Sequence, residues 1–309
     1  VKFSLGTKLL RKVELSHYQK LDDKRAFSLS AFYGGQNGFF RNQFDGTRAD
    51  LINEFGGKGR FMWKVSDRWM FDWIADYQYT HQNGFPYGQL VSKEEIASAP
   101  LTSPLYAMKA GTQMPNQNRQ SYYRRNILNT GMGIKYAGNG FDVNSMTSWQ
   151  FLHDNMLMDI DYLPQDFLHL TQRQHGNSIT EELSVKSNRN GKWQWTFGAF
   201  GSYQWLKTMA PIYFDKDMNA ALSKKITDYA YNGMLNAMAR GMVPSFIARG
   251  MSEEAAMLAA RTLVATNIAR AGGVSINMTM EPVPGVFRTP TFNLDRKSTR
   301  LNSSHSGES

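Results

Sequence analysis

The residues best equipped for chemistry in this sequence are aromatic, basic and acidic side chains grouped in or beside the long connections between strands. Tyr106, Tyr122, Tyr123, Arg124, Arg125, Asp159, Asp161 and Tyr162 form the main set. Aromatic rings stack on flat groups, and an arginine forks onto a carboxylate or phosphate, so the chemistry they suggest is ligand binding. Loop packing and anchoring is the competing reading for each. Catalysis finds no support. There is no cysteine, which removes thiolate nucleophiles, thiolate metal sites and disulfides. No nucleophile-elbow, phosphate-loop or dinucleotide motif is found. The histidines His17, His81, His153, His169, His175 and His305 lack metal-ligand spacing, and a solvated or interfacial histidine is expected. Asp154, Asp159, Asp161 and Asp166 lack the spacing and glycine of a calcium loop. The expectation is no catalytic residue, no metal, no cofactor and no enzyme activity.

Such side chains need a frame, and the clearest piece of frame is a hairpin over 173–208. From Lys192 to Trp205 the odd positions are Trp193, Trp195, Phe197, Ala199, Gly201, Tyr203 and Trp205, and the even ones are polar except Gly198 and Phe200. Alternate residues of a strand point to opposite faces, so one face is apolar with aromatic ends. The same pattern recurs at 54–65 and 69–80, joined by the turn Ser66-Asp67-Arg68, and at 122–137 and 141–151, joined by Gly138-Asn139-Gly140. The apolar face places Trp63, Trp69, Trp73, Tyr79, Trp193, Trp195, Tyr203 and Trp205 as an aromatic girdle. The opposite face carries Glu54, Lys58, Arg60, Asp72, Asp76 and Glu182, charges suited to a barrel lumen, where mutual ion pairing is the plain reading.

Tight turns at 21–24, 66–68, 138–140 and 189–192 alternate with long loops at 34–53, 83–121, 155–172 and from 209 onward. Short connections at one end and long loops at the other are the mark of an up-and-down membrane barrel. The hydrophobic fraction of 41% and mean hydropathy of −0.47 do not oppose this, because every second residue of a barrel strand is polar. The net charge of +9 is spread without a basic run, so nucleic acid is not an expected partner.

Residues 209–285 change period. Leu222, Ile226, Tyr229, Ala230 and Leu235 recur at helical spacing. Ser252 with Glu253 and Glu254 predicts a helix start, running to about Arg270 with Gly272 beyond it. The segment is expected as a helical insertion in one external loop, with a small independent domain as the alternative. A further strand is expected at 286–294. Asp295–Ser309 has no period or aromatic residue, resembles an adapter-derived translation, and is expected to be a non-native or disordered tail. The expected fold is all-β: about ten strands of a partial transmembrane antiparallel barrel over 1–294, cut at both ends.

Five stretches in order carry a family resemblance: 16–40, 56–80, 140–150 with 159–167, and 178–203. In the last, Glu181, Glu182, Leu183 and Ser187 precede Trp195, Gly198 and Phe200. The chain resembles the TonB-dependent outer-membrane receptors, in the first half of their barrel. That resemblance implies the bacterial outer membrane and energy-coupled uptake of a scarce ligand such as a metal–siderophore complex, cobalamin or an oligosaccharide. It also implies the TonB–ExbB–ExbD complex as partner, reached through an N-terminal plug and TonB box that would precede Val1. The other readings are a passive porin-like channel and, more remotely, an outer-membrane enzyme or adhesin.

Overall fold

The alternating stretches become long strands hydrogen-bonded to their neighbours in chain order. In this computed structural model the described residues are 1–88, 90–99, 110–112, 114–188 and 193–300. The strands are β1 (Lys2–Gly6), β2 (Leu10–Lys20), β3 (Arg25–Gln36), β4 (Ile52–Lys64), β5 (Trp69–Gln82), β6 (Leu90–Val91), β7 (Gly111–Thr112), β8 (Tyr122–Ala137), β9 (Phe141–Asp159), β10 (Leu168–Ser187), β11 (Trp195–Met209), β12 (Ile212–Phe214) and β13 (Val286–Arg300). The helices are α1 (Lys93–Ser98), α2 (Lys216–Ile247) and α3 (Glu253–Arg270). Ten strands form the path β1-β2-β3-β4-β5-β8-β9-β10-β11-β13 of one eleven-stranded sheet, and β6 pairs with β7 separately. Strands of 13 to 20 residues, as in β4, β5, β9 and β10, far exceed the five or six usual in soluble domains. No helix among the described residues is long and apolar enough to cross a membrane, which says nothing of strands.

The register confirms the two faces. Phe61 stands opposite Trp73 and Phe55 opposite Tyr79, while Lys58 stands opposite Asp76. Trp73 faces Met132, which faces Thr147. On this apolar face Phe55, Trp69, Trp73, Tyr77, Phe197 and Tyr203 are all exposed. So wide an exposed apolar surface is unfavourable in water and suits lipid. Gly56 serves the other face: a Cβ there would meet the Tyr77 carbonyl oxygen at 2.4 Å and the Phe32 ring at 2.7 Å.

The chain divides into two compact units, the sheet unit (1–164, 170–212 and 283 onward) and a helical unit (165–169 and 213–282). The helical unit has its own core: Leu235, Ala239 and Val243 of α2 with Ala256, Ala260, Val264 and Ile268 of α3. Four-residue spacing puts each set on one helix face, and the alanines admit close approach. Ser252 caps α3, accepting from the Ala255 N–H, and Gly272 takes φ +94° past its end. Tyr229, expected on the apolar stripe, is exposed instead.

Several expected boundaries shift. β9 runs to Asp159 and β10 begins at Leu168, so the loop expected over 155–172 shrinks to 160–167. The strict alternation of short and long connections is broken at Thr7–Leu9. These three residues join β1 to β2 at the long-loop end, with Lys8 and Leu9 at positive φ. Trp193 lies before β11 rather than within it. β13 continues through Asp295 to Arg300, in register with β11 down to Trp195, where a tail was expected. Ladder bonds are made by backbone, so an aperiodic sequence can extend a strand wherever a partner edge is offered. Residues 301–309 and the expected turn at 189–192 lie outside the described residues.

Candidate functional site

The expected lumen charges all fall on one face. Arg60 donates to Asp72 through Nε at 2.7 Å and Nη2 at 2.5 Å. Glu54 accepts from Gln78 at 3.3 Å, and Asp76 accepts from Asn129 at 2.9 Å. Gln150 in turn donates to Asn129 at 2.7 Å. Lys58 stands opposite Asp76, and Glu182 is exposed opposite Phe200. Polar side chains on this wall therefore satisfy one another across β4, β5, β8 and β9.

The girdle residues divide. Trp63, Trp69 and Trp195 gather at the short-turn end, where Trp69 meets Tyr136 with ring centres 4.6 Å apart. Tyr79, Tyr203 and Trp205 lie toward the long-loop end. Trp73 sits four residues inside β5 from Trp69, not at a rim, and its Nε1 donates to Thr130 Oγ1 at 3.0 Å. Trp193 lies outside the strand.

The expected ligand set is not one cluster. Tyr106 lies outside the described residues. Tyr122, Tyr123, Arg124 and Arg125 belong to β8, paired with β5 and β9, rather than to a loop. Alternation splits them. Tyr122 and Arg124 take the apolar face, where the Arg124 guanidinium lies 4.9 Å from the Tyr122 ring centre. Tyr123 and Arg125 take the polar face. There the Tyr123 hydroxyl donates to Asp154 Oδ2 at 3.2 Å, and Arg125 stands opposite Asp154 in register. Asp154 is 2% exposed. Among the described residues, Asp154 Oδ1 and Thr80 Oγ1 are buried without a hydrogen-bond partner. Polar-face atoms of this kind are ready to accept a donor from a ligand or water.

Asp159, Asp161 and Tyr162 do come together, at the heart of a buried polar network that sequence reasoning missed. Asn42 clasps Gln117 in both directions: its Nδ2 donates to the Gln117 carbonyl at 2.7 Å, and its Oδ1 accepts the Gln117 N–H at 2.9 Å. The Gln117 side chain donates to the carbonyls of Phe85 and Tyr87 and accepts from the Ser121 hydroxyl at 3.1 Å. Ser121, fully buried, accepts the Asp159 N–H at 3.1 Å. Asp159 accepts the N–H groups of Arg119 at 3.3 Å and Tyr162 at 3.2 Å. Tyr162, held at φ +56°, meets Tyr87 edge-on at 5.7 Å. The network ties together the connections after β3, after β5 and after β9.

At ~3.3 Å per residue the 19 residues of β9 span about 60 Å, or about 45 Å along the normal at ~40° tilt. Asp159 therefore lies beyond a ~30 Å hydrocarbon layer. Burial at 1% exposure, with Asp161 beside it, pushes the Asp159 carboxyl up to about 7. Burial also raises the Tyr162 hydroxyl. Only a general signal hinted at this network in the sequence: amide-rich, aperiodic stretches such as Gln113–Gln120.

No family model matches the sequence. The fold is similar to the crystal structure of the ferric yersiniabactin uptake receptor FyuA from Yersinia pestis, with TM-score 0.53 and 15% identity, over 68% of this chain and 31% of that one. The siderophore receptor PiuA from Acinetobacter baumannii matches at TM-score 0.49 and 9% identity, over 68% and 30%. The ferric-catecholate import receptor Fiu from E. coli K12 matches at TM-score 0.49 and 10% identity, over 68% and 34%. The chain thus spans about a third of the length of these structures. The first likeness shows the fold: this sheet is an up-and-down antiparallel wall of the outer-membrane β-barrel type.

Proposed function

We propose that this chain is barrel wall and external loop of a TonB-dependent outer-membrane receptor. Its cargo is a scarce small ligand such as a metal–siderophore complex, cobalamin or an oligosaccharide. The observation that carries the reading is the contrast between the faces and ends of the sheet. An aromatic-rich outward face meets lipid, a self-paired polar face meets the lumen, and the long connections at one end are bound together by buried hydrogen bonds. The described parts of the long connections, tied together above a polar wall, form a ligand antechamber. Tyr123 and Arg125 project from that wall toward it and offer a stacking ring and a forked donor. Energy would come from the TonB–ExbB–ExbD complex acting through a plug within the barrel.

The test is uptake by cells expressing the full-length protein, using radiolabelled ferric siderophores, cobalamin and oligosaccharides. Saturable accumulation that stops when TonB is deleted is expected for one class. Arg125→Ala is expected to raise the half-saturating concentration about tenfold, roughly the loss of one charge-assisted hydrogen bond. Non-saturating entry indifferent to TonB would replace the receptor with a passive porin-like channel.

A further inference from the structure

Two histidines that are far apart in sequence meet on the outward face. His153 of β9 and His175 of β10 have Nδ1 atoms 3.1 Å apart, with ring centres 4.3 Å apart and planes inclined by 30°. The same strand offset that sets Ser148 against Thr180 and Thr147 against Glu181 sets these two imidazoles against each other. They lie twelve residues up β9 from Phe141 and twelve up β10 from Ser187, and two residues above the Asn177–Trp205 pair. That height puts them at the external margin of the apolar band, open to the medium.

We propose that His153 and His175 form a transition-metal site on the outer wall, selective for Cu(II) over Zn(II). Two nitrogens each ~2.0–2.1 Å from one metal, at an angle of about 100°, lie about 3.1 Å apart, which is the separation found here. Cross-strand neighbours hold this spacing without loop movement, because both side chains rise from paired backbone. Without metal, the two nitrogens share one proton as N–H···N. Metal binding shifts that proton to Nε2 of the same ring, so that both imidazoles stay neutral and both Nδ1 lone pairs face the metal. No group of three or more His, Asp, Glu or Cys side chains among the described residues is arranged to hold a metal, so water fills the remaining positions. Two imidazoles with water favour Cu(II), which tops the affinity order for nitrogen ligands and accepts a square-planar set. Lys207 stands opposite His175 and Asn126 opposite His153. The Lys207 ammonium opposes a bound cation and limits its affinity.

The experiment uses the full-length protein in detergent, stripped with chelator and titrated with Cu(II) and Zn(II) chlorides. One Cu(II) per chain is expected at an affinity on the order of micromolar, with Zn(II) weaker. The electron paramagnetic resonance spectrum of the wild-type complex should show two equatorial imidazole nitrogens. His153→Gln and His175→Gln should each weaken Cu(II) binding about tenfold or more, and Lys207→Gln should tighten it. His81→Gln should change nothing. A wild-type spectrum without two imidazole nitrogens overturns the proposal, and this requires no variant to fold. Unchanged affinity in both histidine variants overturns it equally.

Discussion

The two ends of the sheet are built by different physics. At the short-turn end, the contacts that shape the turns at 21–24 and 66–68 are local. Asp22 Oδ1 accepts the N–H groups of Lys24 and Arg25 at 2.8 and 2.7 Å, and Ser66 Oγ accepts those of Arg68 and Trp69. The ion pairs Lys20–Asp23, Arg25–Asp22 and Lys64–Asp67 each join residues three apart. They are solvent-exposed, so each stabilises little. At the long-loop end the partners are distant: Asn42 meets Gln117 across 75 residues and Ser121 meets Asp159 across 38. These groups are buried, so losing one partner leaves the other unsatisfied. The turns at 21–24 and 66–68 are cheap to perturb, whereas the buried network of the loop end is coupled and fragile.

This contrast can be tested by how each end responds to change. The largest effect is expected from pH. The folded-state pKa of Asp159, raised to about 7, exceeds the unfolded value of ~3.9. The folded loop end therefore binds more protons between those values. Its stability is full below pH ~4, falls as pH rises to about 7, and is level above. The upper bound of the fall is about 4 kcal/mol. Hydrogen exchange of amides 117–121 and 159–163 should report this loss, exchange at the turns 21–24 and 66–68 should stay level with opening energy, and Asp159→Asn should flatten the profile. Equal pH response at both ends would erase the distinction.

Next in size is Asn42→Ala, which orphans the buried Gln117 N–H and carbonyl and should cost about 3 kcal/mol in local opening. Protection should collapse over 37–50 and 115–121 while β4 and β5 keep theirs. Gly38→Ala should cost about 2 kcal/mol. Gly38 has φ +74°, and a Cβ there would lie 2.1 Å from Asp50 Oδ1, displacing the carboxylate that accepts the Phe39 and Phe40 N–H groups. Loop exchange and trypsin cleavage after Arg41 or Arg48 would measure it. The smallest effect is expected from Ser66→Ala at the turn end, about 0.5 kcal/mol, because water replaces the lost acceptor. A thermal shift as large as that of Asn42→Ala would contradict the comparison.

The same divide decided what could be read from residues alone. Period two fixed the faces of β4, β5, β8 and β11, and with them the one polar face shared by Arg60, Asp72 and Asp76. Ser252 and Gly272 marked the ends of α3 within one residue. Each of these signals is set by neighbours within four positions, where side-chain direction and capping act. The division of Tyr122 to Arg125 between two faces followed only once β8 was known to be paired along that stretch. Glu181 shows the limit within the wall: it sits on the apolar face, accepting from the Ser145 hydroxyl at 2.6 Å and from Thr147. The β9–β10 offset makes that carboxylate tolerable, and no local pattern announces the offset. The clasp of Asn42 on Gln117, the burial of Asp159 and the meeting of His153 with His175 belong to the same class. The sequence by itself determined the strands, their two faces and their tight turns, because those depend on local stereochemistry. Only the tertiary structure decided which loops share a polar core and which histidines meet, because those depend on strand register summed across long aperiodic connections.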